Sequence, residues 1–235
     1  MEASHILLHE HSQGAFHLDK FQNAIDSFDS NDHKVTLTEL LKSKVDSPAY
    51  RVSDSVELYL KNGLEREHAS QIYAATGRNK VTSPQRCPAW LCCLLPCLNG
   101  TPKMKAYFSS LSESTSVVRS GKRFLIDSEG LVVGDVIQLF SGDCVPADCR
   151  IIEVTIGSEE LRFDASVLCG VVNHSQRMVA HGSENCTSDA IVESENVCWA
   201  GSTVVSGACK CVVLAVGENL LWSRLIKSRR WISKR

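Results

Sequence analysis

Eleven cysteines and eight histidines in 235 residues are the side chains most suited to chemistry in this chain. Four thiols, Cys87, Cys92, Cys93 and Cys97, lie close together, and closely spaced thiolates are the usual ligands of structural zinc. Cys92 and Cys93 are adjacent, however, and no paired Cys-x-x-Cys knuckle is present, which argues against a tetrahedral site. A second reading is S-palmitoylation, because cysteines beside an amphipathic segment are its substrates. A third is that these thiols are buried or idle. His5, His9, His11 and His17 are scattered along a Ser-rich stretch and read as solvated side chains rather than ligands. Gly130, Gly134, Gly142 and Gly170 are not spaced to cradle a phosphate and read as turn glycines. Neither a metal nor a cofactor is expected.

The segment from Trp222 to Arg235 carries six basic residues and no acidic one. On a helical wheel Leu221, Trp222, Leu225, Ile226 and Ile232 share one side, interrupted by Arg229. Arg224, Lys227, Arg230 and Lys234 take the other. A basic amphipathic helix with tryptophan suits an anionic membrane surface, so Trp222, Arg224, Lys227, Arg229, Arg230 and Trp231 are candidate contacts. The plain alternative is a frayed helical stub.

Composition limits the rest. With 25 Lys and Arg against 27 Asp and Glu the net charge is −2, too little to attract nucleic acid. The longest apolar run, Ala89 to Leu98, is half the roughly 20 residues that cross a bilayer. No secretory signal is evident either, so a cytoplasmic protein with reduced thiols is expected. Asn99-Gly-Thr, Asn173-His-Ser and Asn185-Cys-Thr then fit the glycosylation pattern by chance.

Residues 1–30 have too little apolar surface to offset the entropy of ordering and read as a mobile tail. Thr36 and Glu39 form a capping box, with Val35 and Leu40 as its hydrophobic staple, predicting a helix from Leu37 to about Lys44. A second helix is predicted from Ser55 to Lys61 and a third from Arg66 to Thr76, the last ended by Gly77. Prolines 84, 88, 96 and 102 break the next stretch, and the Ser-rich run after it reads as a linker. Beyond Val117 the period becomes strand-like. A hairpin is predicted about Ser120-Gly121, followed by strands over 136–140, 150–154, 160–163, 197–205 and 208–216. The predicted class is α+β: a small helical module followed by a β-rich domain.

Within that β-rich part stands Val133-Gly-Asp-Val-Ile-Gln-Leu-Phe-Ser-Gly-Asp-Cys-Val-Pro-Ala-Asp148. It resembles the Val-Gly-Asp and Gly-Asp-x-x-Pro-Ala-Asp signature of the actuator domain of P-type cation-transporting ATPases. Upstream, Asn31-Asp-His-Lys-Val-Thr-Leu-Thr-Glu-Leu40, Leu60-Lys-Asn-Gly-Leu64, Ala69, Gly77-Arg-Asn79 and Pro88-Ala-Trp90 resemble the N-terminal domain of the sodium/potassium ATPase alpha subunit. The resemblance implies a distorted jelly-roll actuator domain over 117–218. It also implies a cation-ATPase-like helical module over 31–98, while composition gives a linker over 99–116 and a basic segment over 219–235.

The same resemblance implies where chemistry is lost. The family's Asp-x-Ser-x-Leu-Thr-Gly-Glu-Ser loop, whose Glu positions the water that hydrolyses an aspartyl phosphate, corresponds here to Asp164-Ala-Ser166-Val-Leu168-Cys169-Gly170-Val171-Val172. Val171 stands in the place of the Glu, so Cys169, Gly170, Val171 and Val172 form a degenerate loop with no catalytic residue. Cys169 has only His174 nearby in sequence to lower its pKa, and the inert reading is preferred. No Asp-Lys-Thr-Gly phosphorylation loop or nucleotide-binding domain is found, and the first pair of membrane helices is missing. The expectation is a catalytically silent, truncated relative acting as an interaction or regulatory module, possible partners being a full-length P-type ATPase and the cytoplasmic membrane face. A subunit that transports only with other chains, and a degenerate product, are the rival readings.

Overall fold

The structure is a computed structural model that describes residues 58, 61–85, 101–155, 160–169, 175–177 and 196–231, with backbone alone for Cys169 and 175–177. The expectations for the tail, the capping box at Thr36 and the cysteines from Cys87 to Cys97 lie outside the described residues.

Helix α1 spans Arg66–Thr76, the range predicted. Gly77 stops it at φ 78° while its N–H caps Tyr73 O, a left-handed turn that glycine adopts without a Cβ clash. Helix α2, Pro102–Ser109, lies in the stretch predicted to be linker. Pro102 sits in its first turn, where a missing N–H costs nothing, and Thr101 accepts from Met104 N–H as the cap. Met104 and Tyr107 of α2 are buried in the main core, so this segment is part of the folded unit.

Strands β1 (Ser114–Arg119) and β2 (Lys122–Asp127) form the predicted hairpin, antiparallel with Arg119 opposite Lys122. Ser120 and Gly121 both have positive φ, 50° and 69°, the geometry of a two-residue turn whose twist matches the strands. Strand β3 (Val136–Phe140) has the predicted ends, and β4 (Asp148–Val154) begins two residues early. Then come β5 (Arg162–Asp164), a single helical turn α3 (Ser166–Cys169), β6 (Ser175–Arg177), β7 (Val197–Cys198), β8 (Thr203–Ser206) and β9 (Ala208–Ala215). Helix α4, Leu221–Lys227, follows.

The nine strands among the described residues make two antiparallel sheets, β2-β1-β3-β9-β4-β7 and β6-β5-β8. The class is therefore α+β with a β-rich actuator-like domain, as expected. Two predictions need correction. Residues 197–205 are two strands in different sheets, because Gly201 turns the chain at φ 86° between them. The C-terminal segment is no continuous helix: α4 stops at Lys227, Arg229 takes φ 61°, and Trp231 N–H folds back onto Leu225 O.

One core joins the two sheets. Val117, Ile137, Leu139, Ile151, Cys211 and Val213 point into it from the large sheet, and Phe163 and Val204 from the small one. Leu220, Trp222 and Leu225 seal one end. A smaller cluster, Leu64, Ala69 and Val132, seats α1 on the β-domain.

Candidate functional site

The loop that would carry chemistry leaves the end of α3. Its frame is held from both sides. Asp164 Oδ1 accepts from Ser166 N–H at 2.8 Å, an Asx turn that starts the helical turn. Leu168 is buried beneath, and the buried indole N–H of Trp231 donates to Val167 O at 2.8 Å. Cys169 closes α3; Gly170, Val171 and Val172 lie outside the described residues. So Asp164, Ser166 and Leu168 are the residues of the frame that the structure positions.

The signature aspartates fasten the fold. Asp135 is fully buried, receives Arg119 Nε at 2.8 Å and its Nη2, and also accepts from Val132 N–H at 2.9 Å. Asp143 Oδ2 accepts from Phe140 N–H at 2.8 Å and closes the turn at Gly142. Asp148, also fully buried, accepts from Ala200 N–H with one oxygen and from Leu221 N–H with the other, at 3.0 and 2.7 Å. That carboxylate joins the β7–β8 turn to the first turn of α4, where two otherwise orphaned N–H groups need acceptors.

Gly201 and Trp222 complete this joint. A Cβ on Gly201 would stand 2.9 Å from two Trp222 ring atoms and 3.4 Å from Val167 Cγ1, so only glycine lets the indole pack between the turn and α3. Trp222 meets Trp231 edge-on at 5.7 Å and Tyr107 at 5.5 Å between ring centres. The aromatic group thus backs the helical turn α3 at Val167.

Asn79 is the residue that sequence reasoning undervalued. Its Nδ2 donates to Ser128 O at 3.0 Å and Pro146 O at 2.9 Å, while Oδ1 accepts from Gly217 N–H at 2.9 Å. Tyr107 Oη donates to Val81 O, and Thr82 N–H donates to Ser223 Oγ. The stretch after α1 is therefore strapped to the β-domain by partners more than twenty residues away in sequence, which no local pattern reveals. The one sequence signal was the Gly77-Arg-Asn79 match.

The expected membrane contacts separate into two groups. Trp222 and Trp231 are 1% and 3% exposed, so neither indole is available to a bilayer, and their placement is a correction to the helical-wheel reading. Their apolar face meets the protein's own core. Arg224 is half-buried, and Lys227, Arg229 and Arg230 are exposed. Lys227 pairs with Glu218 at 2.7 Å and holds that carboxyl below its usual range. No helix among the described residues is long and apolar enough to cross a membrane.

Among the described residues no group of three or more His, Cys, Asp or Glu could hold a metal ion. Cys149, Cys198, Cys209 and Cys211 are buried free thiols on neighbouring strands. Burial pushes the Cys149 and Cys211 thiols well up, and pushes Cys144 up to about 12 with help from Asp143. Since the thiolate is the reactive form, Cys149 and Cys211 should resist alkylation in the folded chain and react once denaturant is added. Mass mapping of iodoacetamide adducts in mildly alkaline buffer checks this; full native labelling of Cys149 or Cys211 would contradict the burial.

A short helical turn after β5 of the smaller of two antiparallel sheets, with the buried Gly134-Asp135 and Pro146-Ala-Asp148 segments fastening the fold, defines an actuator-type domain. A family model for the P-type ATPase actuator domain matches residues 109–230, and the chain belongs to that family. The human sodium/potassium-transporting ATPase subunit alpha-3 is 30% identical over 122 residues, 52% of this chain and 11% of the relative. The rat subunit alpha-2 is 24% identical over 250 aligned residues, covering 83% of this chain and 22% of the relative. The chain thus spans about a tenth to a fifth of the length of these curated relatives. A crystal structure of a zinc-transporting PIB-type ATPase in the E2.Pi state matches with TM-score 0.38 and 20% identity, over 56% of this chain and 19% of that one.

Proposed function

We propose that this chain is an actuator-type module without hydrolytic activity of its own, which acts by contact with another protein. The observation that carries the reading is Val171, which stands where the resemblance places a water-positioning Glu. Valine neither accepts a proton nor orients water, and losing a positioned base lowers a rate by about 10²- to 10⁴-fold. Among the described residues the carboxylates of the signature and the frame are engaged: Asp135, Asp143, Asp148 and Asp164 each accept main-chain N–H groups or Arg119.

A P-type ATPase chain is the partner that the family points to, met on the cytoplasmic side where actuator domains lie. With Lys227 paired to Glu218 and Arg224 half-buried, Arg229 and Arg230 are the charged remainder of the membrane contact, at about 1 kcal/mol each beside an anionic surface.

The intact chain is expected to release no phosphate from ATP or an aryl phosphate beyond a heat-denatured control, and Val171→Glu alone is expected to create no activity. Release by the unmodified chain that scales with its concentration would overturn the silent reading. Cross-linking in native membranes tests the partner: recovery of a P-type ATPase chain supports the contact, and its absence among the cross-linked species removes it.

A further inference from the structure

Strand β2 is the outer strand of the six-stranded sheet, paired on one side with β1. The two-residue turn at Ser120-Gly121 fixes its phase. Lys122, opposite Arg119, exchanges main-chain hydrogen bonds with β1, and so by alternation do Phe124 and Ile126. The N–H and C=O groups of Arg123, Leu125 and Asp127 therefore face away from β1. No main-chain partner for them occurs among the described residues.

The side chains follow the same period. Phe124 and Ile126 turn inward and pack on the core, with the Arg66 guanidinium 4.1 Å over the Phe124 ring. Arg123, Leu125 and Asp127 share the other face, and all three are exposed. Leu125, 75% exposed, is the most exposed large hydrophobic side chain among the described residues.

Charges on an outer strand normally repel a second strand. Here their order is cation, apolar, anion, and that order reads as its own complement when reversed. Only outward-facing residues can exchange main-chain bonds with a new strand, so an antiparallel partner must set odd positions against odd positions. A two-fold axis through Leu125 places Arg123 opposite Asp127 at both ends and Leu125 opposite its counterpart, with Phe124 opposite Ile126 on the inner face. Moving the axis to Arg123 or to Asp127 sets like charges against each other. An axis through Phe124 or Ile126 sets Leu125 against Arg123 or Asp127 and forms no Arg123–Asp127 pair, so only the axis through Leu125 makes both ion pairs and the apolar pair.

We infer that β2 is a self-recognition edge: a second copy of this chain pairs with it antiparallel about Leu125, carrying the large sheet across a two-fold axis. The interface is isologous, which lets it close at a dimer.

Sedimentation velocity on the full 235-residue chain from about 1 to 200 μM tests this at near-neutral pH, with a monomer–dimer equilibrium expected. Arg123→Asp faces two acidic pairs across the axis and should raise the dissociation constant about tenfold or more, as should Asp127→Arg. An equimolar mixture of the two variants should recover the parent's affinity as a heterodimer, since each introduced charge then meets its opposite. Asp127 Oδ1 also accepts from Glu129 N–H, so a melting curve accompanies that variant. If it melts early, Arg123→Asp together with Leu125→Lys carries the test, each expected to weaken the dimer on its own. A chain that stays monomeric throughout, a dimer that none of these changes weakens by more than about twofold, or folded variants whose mixture associates no better than either alone would overturn the inference.

Discussion

Arg119→Met is expected to destabilise the folded chain by about 3–5 kcal/mol, because it leaves the Asp135 carboxylate buried without a counter-charge. Asp135 is fully buried, whereas the Arg119 side chain is 17% exposed. The guanidinium is the only cation bonded to that carboxylate among the described residues, and its Nη2 also donates to Gly130 O. Methionine keeps much of the stem's packing while removing the charge, which isolates the electrostatic part. Adding Asp135→Asn should return part of the loss, since an amide oxygen can still accept from Val132 N–H and no charge remains buried. Lys210→Met is the contrasting case. Its partner Glu153 is 57% exposed, and solvent-screened pairs of this kind contribute about 0–1 kcal/mol. Urea midpoints of the four proteins, read at constant slope, give the comparison. A double variant less stable than Arg119→Met would show that geometry, and not the uncompensated charge, sets the cost.

How much of this was legible in the sequence depends on the range of the forces concerned. α1 and the β1–β2 hairpin are set by neighbours: Gly77 stops the one and Ser120-Gly121 turns the other, and both were predicted with their observed positions. α2 was missed because Pro102 was read as a breaker, although at the first turn behind a Thr101 cap proline starts a helix. The run from Val197 to Val205 looked like one strand because buried residues on both faces leave no alternation to read. Its break at Gly201 depends on Trp222, a residue far along the chain. The Val-Gly-Asp and Pro-Ala-Asp residues were visible as a signature, but their work as acceptors for Ala200, Leu221 and Arg119 was not, since those donors arrive from other elements. Val171 is placed by the resemblance alone and lies outside the described residues.

The C-terminal segment gives the plainest case of a pattern with two physical meanings, and Trp222→Ala the other large expected effect. An apolar stripe on a short basic helix suits a bilayer or a protein core equally well in sequence. In the fold the stripe meets Tyr107, Val167, Gly201 and Trp231. Removing a fully enclosed indole loses its transfer free energy and leaves a cavity, together about 3–5 kcal/mol. The Trp222 N–H has no hydrogen-bond partner among the described residues, so packing alone supplies the stabilisation and Trp222→Phe should retain most of it. Arg229→Ala and Arg230→Ala, at exposed positions, are expected to stay within about 0.5 kcal/mol of the parent. A chain ending at Leu220 loses both indoles and leaves Asp148 Oδ2 and Val167 O without their donors. Such a chain should show no cooperative thermal transition, whatever lipid is added. Cooperative melting of that shortened chain within a few degrees of the intact protein would instead make residues 221–235 a peripheral stub. The aromatic group would then have no part in holding the helical turn α3.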